Sequence, residues 1–224
     1  MRVTYDDIWN RGSELILSGD SETDSQVDNP DDLRRGITLI FRPNQNVLDN
    51  FDVFLRLAED VEPGQYIYAP TAIHTTVLTI ITCTEKFGLD QIDGSDYSRV
   101  IRSCVDQIEP FAVDFRGITA SESCVMAQGF PLDNTLKRVR ALLRERFRNS
   151  ALRHSIDERY TIEIAHSTLI RFRKRLSRPR EFFDFLSQFR SVEWGKSNVF
   201  ELELVFNDWY HKSDRVEEIA RFRV

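Results

Sequence analysis

Apolar positions along this chain switch between the three-to-four spacing of helices and the alternation of strands, and the switches mark out its elements. Ile8, Trp9, Leu15, Ile16 and Leu17 predict one short helix docked on a core, and residues 18–32 (SGDSETDSQVDNPDD) read as a polar, acidic loop. A regular order follows: a strand over 36–41, an amphipathic helix over 47–58, a strand over 65–69 and a long Thr, Val and Ile-rich strand over 73–81. Residues 97–108 then place Val100, Ile101, Cys104, Val105 and Ile108 on one helical face. The second half echoes the first, with strands over 111–118 and 123–127, a helix over 132–147 and a strand over 160–172. A helix over 179–189 and strands near 192–194 and 199–206 complete the series.

This order predicts an α+β fold with a loose two-fold duplication. Residues 1–35 form an N-terminal helix and acidic loop, and residues 36–224 form the main domain. Within that domain one lobe covers about 36–110 and the second about 111–224. At 224 residues and 41% hydrophobic content the chain can bury a sizeable core. No apolar run is long enough to span a bilayer, and the start, with Asp6 and Asp7, lacks a basic region followed by an apolar one, so no membrane association and a cytoplasmic location are expected.

Cys83, Cys104 and Cys124 show no CxxC spacing, which predicts free, mostly buried thiols and no zinc site. The net charge of −6 hides an uneven spread. Residues 1–60 carry 13 acidic and 6 basic side chains, whereas residues 137–180 carry 14 basic and 4 acidic ones. A polyanionic partner would choose the second region.

The two-fold echo sharpens at His74-Thr75-Thr76-Val77 and His166-Ser167-Thr168-Leu169. Each is HxT followed by an aliphatic residue. Strand alternation puts His and Thr on one face, where they can meet a cleft, and turns Val77 and Leu169 to the other. Average residue usage gives roughly 2 to 3% of histidines this context by chance, so two among four histidines is informative. In-line cleavage of a phosphodiester needs a base for the attacking oxygen and an acid for the leaving one. Two imidazoles can supply both, and the Thr76 and Thr168 hydroxyls can hydrogen-bond the non-bridging oxygens.

The paired motifs and the order of elements from about Gly36 to Phe206 resemble the 2H phosphoesterase superfamily; the first 35 residues lie outside the resemblance. It implies a bilobal duplicated fold, two antiparallel sheets flanking a central cleft with helices on the outer faces. It also implies His74, Thr76, His166 and Thr168 as the catalytic four, with no metal and no organic cofactor. The implied substrates are RNA ends, oligonucleotides or small cyclic nucleotides, carrying a 2′,3′-cyclic phosphate or a 2′-5′ linkage. A monomer is expected.

Around the motifs, Arg171 is a candidate phosphate ligand, although strict alternation sets it on the face opposite His166. The basic run from Arg171 to Arg180 suits flanking phosphates, or else is a solvated loop. Tyr66 and Tyr68 share a strand face and are candidate base-stacking residues, with core packing as the alternative. Trp209 and Tyr210 are similar stacking candidates, with a hydrophobic cap as the favoured alternative. His154 and His211 lack the motif and are expected at the surface. A catalytically silent RNA-binding module of the same fold is the alternative function.

Overall fold

The structure, a computed structural model, describes residues 4–224. Residues 1–3 of the expected N-terminal extension lie outside the described residues. Five α-helices are described: α1 (Tyr5–Ser18), α2 (Gln45–Val61), α3 (Gly94–Val105), α4 (Thr135–Arg148) and α5 (Pro179–Gln188). Nine strands accompany them among the described residues: β1 (Arg35–Phe41), β2 (Tyr66–Ile67), β3 (Thr75–Thr84), β4 (Phe111–Ala120), β5 (Cys124–Pro131), β6 (Ala165–Arg171), β7 (Glu193–Val199), β8 (Glu201–Asn207) and β9 (Glu217–Arg223). All of the expected helices and strands form. The strand expected over 160–172 is shorter, because residues 160–164 are a loop leading into β6.

The strands build two antiparallel sheets, ordered β3-β1-β8-β9 and β2-β6-β5-β4-β7. Apart from the two-residue β2, the sheets correspond strand for strand, with motif-bearing β3 in the place of motif-bearing β6. The lobes interleave where the sequence suggested consecutive halves divided near residue 110: β8 and β9 complete the sheet of β3, and β2 joins the sheet of β6. The helices cross over too, α2 packing on α5 and β7 and α4 packing on α3 and β3. One apolar core results, with Phe51, Phe54, Phe115, Phe147 and Leu169 all fully buried in it.

The N-terminal segment is tied into this body. A capping box between Thr4 and Asp7 starts α1, and Gly19 at φ 75 ends it in the left-handed conformation that glycine adopts readily. Gly12 lies so close to the Ala120 carbonyl that a β-carbon would collide with it, which lets α1 lie directly on β4. The Tyr5 hydroxyl donates to the Ala165 carbonyl at the start of β6. The loop after α1 then runs as a strap: Glu22 N donates to Glu122 O (2.8 Å) and Asp24 N to Phe172 O (2.7 Å). The C-terminal segment holds its other side, Lys212 donating to Val27 O and Arg215 to Asp32 O. Among the described residues, no helix is long and apolar enough to cross a membrane.

Candidate active site

The two motifs meet at their middle residues. Thr75 Oγ1 and Ser167 Oγ, 92 positions apart in sequence, lie 2.9 Å from one another and are fully buried. This bond fixes β3 against β6, so that His74 and His166, each one residue earlier, and Thr76 and Thr168, each one later, line the same cleft. Val77 and Leu169 are fully buried beneath it.

Irregular register extends the cleft face beyond the motifs. On β6 the pairing steps from Thr168↔Met126 to Ile170↔Val125, leaving Leu169 as an extra residue. Such a bulge resets the alternation, and Arg171 therefore lines the cleft beside His166 and Thr168 instead of facing away from them. On β3 the pairing skips Val77 and Ile80, so Thr76, Thr79 and Thr82 all reach the cleft at a spacing of three.

The His74 ring donates from Nδ1 to the Ala72 carbonyl at 2.8 Å, the tautomer that leaves the Nε2 lone pair free. Burial lowers its pKa to about 4, helped by the charges of Arg42 and His166 and opposed by the Ala72 bond. His166 is also lowered to about 4, by burial and then by Arg140 and Arg171. Its Nδ1 is buried without a partner among the described residues. An unpaired buried N–H is rarer than an unpaired acceptor, which favours the tautomer with the proton on Nε2. At neutral pH both rings are uncharged, one bearing a lone pair and the other an N–H.

Arg171 is held on three sides. Its Nε donates to Tyr68 Oη (3.4 Å), its Nη1 lies 3.5 Å from Asp24 Oδ2, and its guanidinium sits 5.6 Å from the centre of the Tyr210 ring. Tyr68 lines the cleft although it is only 2% exposed. Tyr66 does not reach the cleft lining; it packs edge-on against Tyr68, with ring centres 5.1 Å apart. Tyr210 is buried, as a hydrophobic cap would be, but Trp209 lines the cleft. Arg159 lies over the Trp209 ring at 4.3 Å, and Tyr160, 56% exposed, stands at the same rim.

Three residues at or behind the site, His211, Arg140 and Asp24, were not singled out for it in the sequence. His211, expected at the surface, is 7% exposed and lines the cleft, its ring centre 3.7 Å from that of His74. It is held at φ 52 in a turn whose Tyr210 and Lys212 amides donate to Asp208 Oδ1. Its place in a Trp-Tyr-His run was the one available hint. His154, likewise expected outside, is half-buried against Phe147. Arg140 of α4 is 3% exposed and donates to the carbonyls of Thr76, Val77, Glu163 and Ile164 at 2.8 to 3.1 Å. It thus staples β3 to the segment that enters β6. Asp24 belonged to a stretch read only as a loop.

Part of the basic region is ion-paired. Arg144 pairs with Asp157 (2.6 Å), Arg173 with Asp28 (3.2 Å), Arg178 with Glu181 (3.4 Å) and Arg180 with Asp184 (3.2 Å). The acidic N-terminal segment supplies Asp24 to Arg171 and Asp28 to Arg173, so the two opposite regions of the sequence meet at these two ion pairs. Among the described residues no group of three His, Cys, Asp or Glu side chains is placed to hold a metal ion. Cys83 is half-buried, Cys104 and Cys124 are buried, and all three are free.

Comparisons with protein-family models and with curated protein sequences find no match. Solved structures do match. E. coli LigT, in a crystal structure with ATP, superposes with a TM-score of 0.53 at 11% identity over 85% of this chain and 98% of its own. A protein described as a phosphoesterase gives 0.55 at 11% identity over 85% and 98%. A Thermus thermophilus protein gives 0.58 at 16% identity over 85% and 97%. Identity this low speaks to fold, and the matches span nearly the whole of each neighbour. The chain therefore shares the bilobal α+β fold of E. coli LigT and of the protein described as a phosphoesterase, with both of its HxT motifs lining one cleft.

Proposed function

We propose that this protein is a metal-independent phosphoesterase acting on a phosphodiester at an RNA end or in a small nucleotide, a 2′,3′-cyclic phosphate or a 2′-5′ linkage. The observation that carries the reading is the convergence of His74, Thr76, His166 and Thr168 on one cleft through the Thr75–Ser167 bond. The Nε2 lone pair of His74 takes the proton of the attacking oxygen. Attack at phosphorus breaks the bond to the leaving oxygen, and His166, carried to its imidazolium form by the bound phosphate anion, gives that oxygen a proton from Nε2 and returns to the neutral ring. Thr76 and Thr168 donate to the non-bridging oxygens as charge builds on them.

A phosphate anion entering the cleft favours a charged imidazole, so its binding offsets the burial that keeps the empty site's rings neutral. Trp209 and Tyr160 offer aromatic faces to a base at the rim, worth about 1 to 3 kcal/mol for each stacked base. Crystal structures of E. coli LigT, which shares this fold, hold ATP, 3′-AMP, NADP+ and phosphate. The alternative, a silent RNA-binding module, would use the basic side chains of residues 137–180 that are unpaired among the described residues, and the convergence of both intact motifs on one cleft counts against it.

The test is turnover in the presence of a chelator, with 2′,3′-cyclic nucleotides, RNA ending in a cyclic phosphate, 2′-5′ oligoadenylate and ADP-ribose cyclic phosphate. Consumption of at least one by the wild type, and of none by His74→Ala or His166→Ala, is the expected result. Activity that the chelator abolishes and zinc restores would overturn the reading.

A further inference from the structure

The N-terminal strap places a carboxylate directly behind the arginine that faces the reacting phosphate. Asp24 is fastened there from both sides: its amide donates to Phe172 O at 2.7 Å, one residue past Arg171, and its Oδ1 accepts from the Tyr210 hydroxyl at 2.8 Å. Its other oxygen lies 3.5 Å from Arg171 Nη1, with side-chain exposures of 19% for Asp24 and 14% for Arg171. Little water separates or screens this pair, so the carboxylate acts on whatever anion Arg171 meets.

The remaining charges of the cleft do not compensate. His74 and His166 are neutral in the empty site. Arg140 lies behind the motifs and spends its N–H groups on backbone carbonyls. Arg159 is at the rim over Trp209, and Asp157, which also lines the cleft, is paired with Arg144. Before an anion enters, the phosphate position therefore offers one guanidinium paired with a carboxylate, together with N–H and O–H donors that stay uncharged until the anion itself charges an imidazole.

We propose that Asp24, acting through Arg171, sets the charge of the phosphate that this cleft accepts, admitting a singly charged phosphodiester and disfavouring a doubly charged phosphomonoester. The inference rests on the reading of the cleft as a phosphodiester site. The physical reason is that Coulomb energy scales with the product of the charges: the carboxylate repels a dianion twice as strongly as a monoanion at the same place. A hydrolysis that turns a diester into a monoester then yields a product the site holds less well than its substrate. The acidic strap, which lies outside the family resemblance, acquires a role as a selectivity element.

The experiment compares two ligands that differ by one methyl group and one charge, 2′-deoxyadenosine 3′-phosphate and its methyl ester. Neither has the 2′-hydroxyl needed for internal attack. Binding to the full chain is measured by calorimetry at mildly alkaline pH, where the monoester is a dianion, and the His166 ring resonances report that the ligand is in the cleft. Wild type is expected to prefer the methyl ester. In Asp24→Asn, which keeps the acceptor for Tyr210, a gain of about threefold for the methyl ester predicts about tenfold for the monoester, the square of the first factor.

Asp24→Glu, which keeps the charge, is expected to preserve the wild-type preference. Equal gains for both ligands in Asp24→Asn, or losses for both, overturn the proposal, since they mark Asp24 as a support for Arg171 alone. If neither ligand moves the His166 resonances in any variant, the phosphodiester reading of the cleft fails first, and the inference fails with it.

Discussion

Thr75 Oγ1 lies 2.9 Å from Ser167 Oγ, and this one bond between two fully buried hydroxyls joins the two HxT motifs. Removing a single partner leaves the other unsatisfied inside the protein, at about 1 to 3 kcal/mol. Thr75→Val and Ser167→Ala are each expected to destabilise by that amount and to lower kcat more than they raise KM, because the motif strands lose their mutual register. The double variant is expected to cost less than the sum, a coupling that denaturant unfolding of the four proteins measures. Strict additivity would show that the bond does not hold the strands together.

Arg140 is a buried cation that is satisfied by four carbonyls and has no acidic partner at its guanidinium among the described residues. Burial lowers its pKa to about 10, which still leaves it charged at neutral pH. Arg140→Met is expected to strand the carbonyls of Thr76 and Ile164 and to destabilise the fold by about 3 kcal/mol or more. Lysine at this position is expected to rescue only part of that loss, since one ammonium cannot fork to carbonyls on two segments. Thermal melts of the two variants decide the point.

His74 and His166 have pKa values lowered to about 4, below the ordinary value of 6.5. The unfolded chain therefore takes up their protons first, and stability rises with pH across that window. Full stability is expected above about 6.5, with progressive loss as pH falls toward 4, on the order of 2 to 3 kcal/mol for each ring. His166→Ala is expected to flatten the dependence of unfolding free energy on pH between those limits. A curve parallel to wild type would contradict the neutral assignment.

His211 covers one face of the His74 ring at a centroid distance of 3.7 Å. His211→Ala opens that face to water and is expected to raise the His74 pKa toward its ordinary value, because burial is the main cause of the shift. Phenylalanine at 211 preserves the stack and is expected to leave the pKa low, although the residue must still accept a positive φ. Histidine NMR titration of both variants separates covering of the ring from direct contact with a ligand.

The HxT pairs were legible in the sequence because alternation in a strand is a local rule: His and Thr share a face whatever the neighbouring strand does. The position of Arg171 was not, since the extra residue at Leu169 exists only relative to β5. β9 escaped notice because its Glu-Glu-Ile-Ala-Arg-Phe-Arg sequence buries only Phe222 and lies at a sheet edge. His211 and Asp24 reach the site from opposite ends of the chain, and no spacing rule relates them to the motifs. The basic run looked available for RNA because its acidic partners, Asp24 and Asp28, lie more than a hundred residues away in sequence.

The central claim is that His74 and His166 divide base and acid duties at one phosphodiester, and leaving-group chemistry tests it most directly. The measurement is kcat/KM of wild type, His74→Ala and His166→Ala on the preferred substrate and on a p-nitrophenyl diester of the same nucleotide, whose leaving oxygen needs no acid. On the natural substrate both variants are predicted to lose on the order of 100 to 10,000-fold. On the activated ester His166→Ala is predicted to recover most of its loss and His74→Ala none. Wild-type rates in either variant on the natural substrate would contradict the account, and recovery in His74→Ala instead of His166→Ala would reverse the assignment of base and acid.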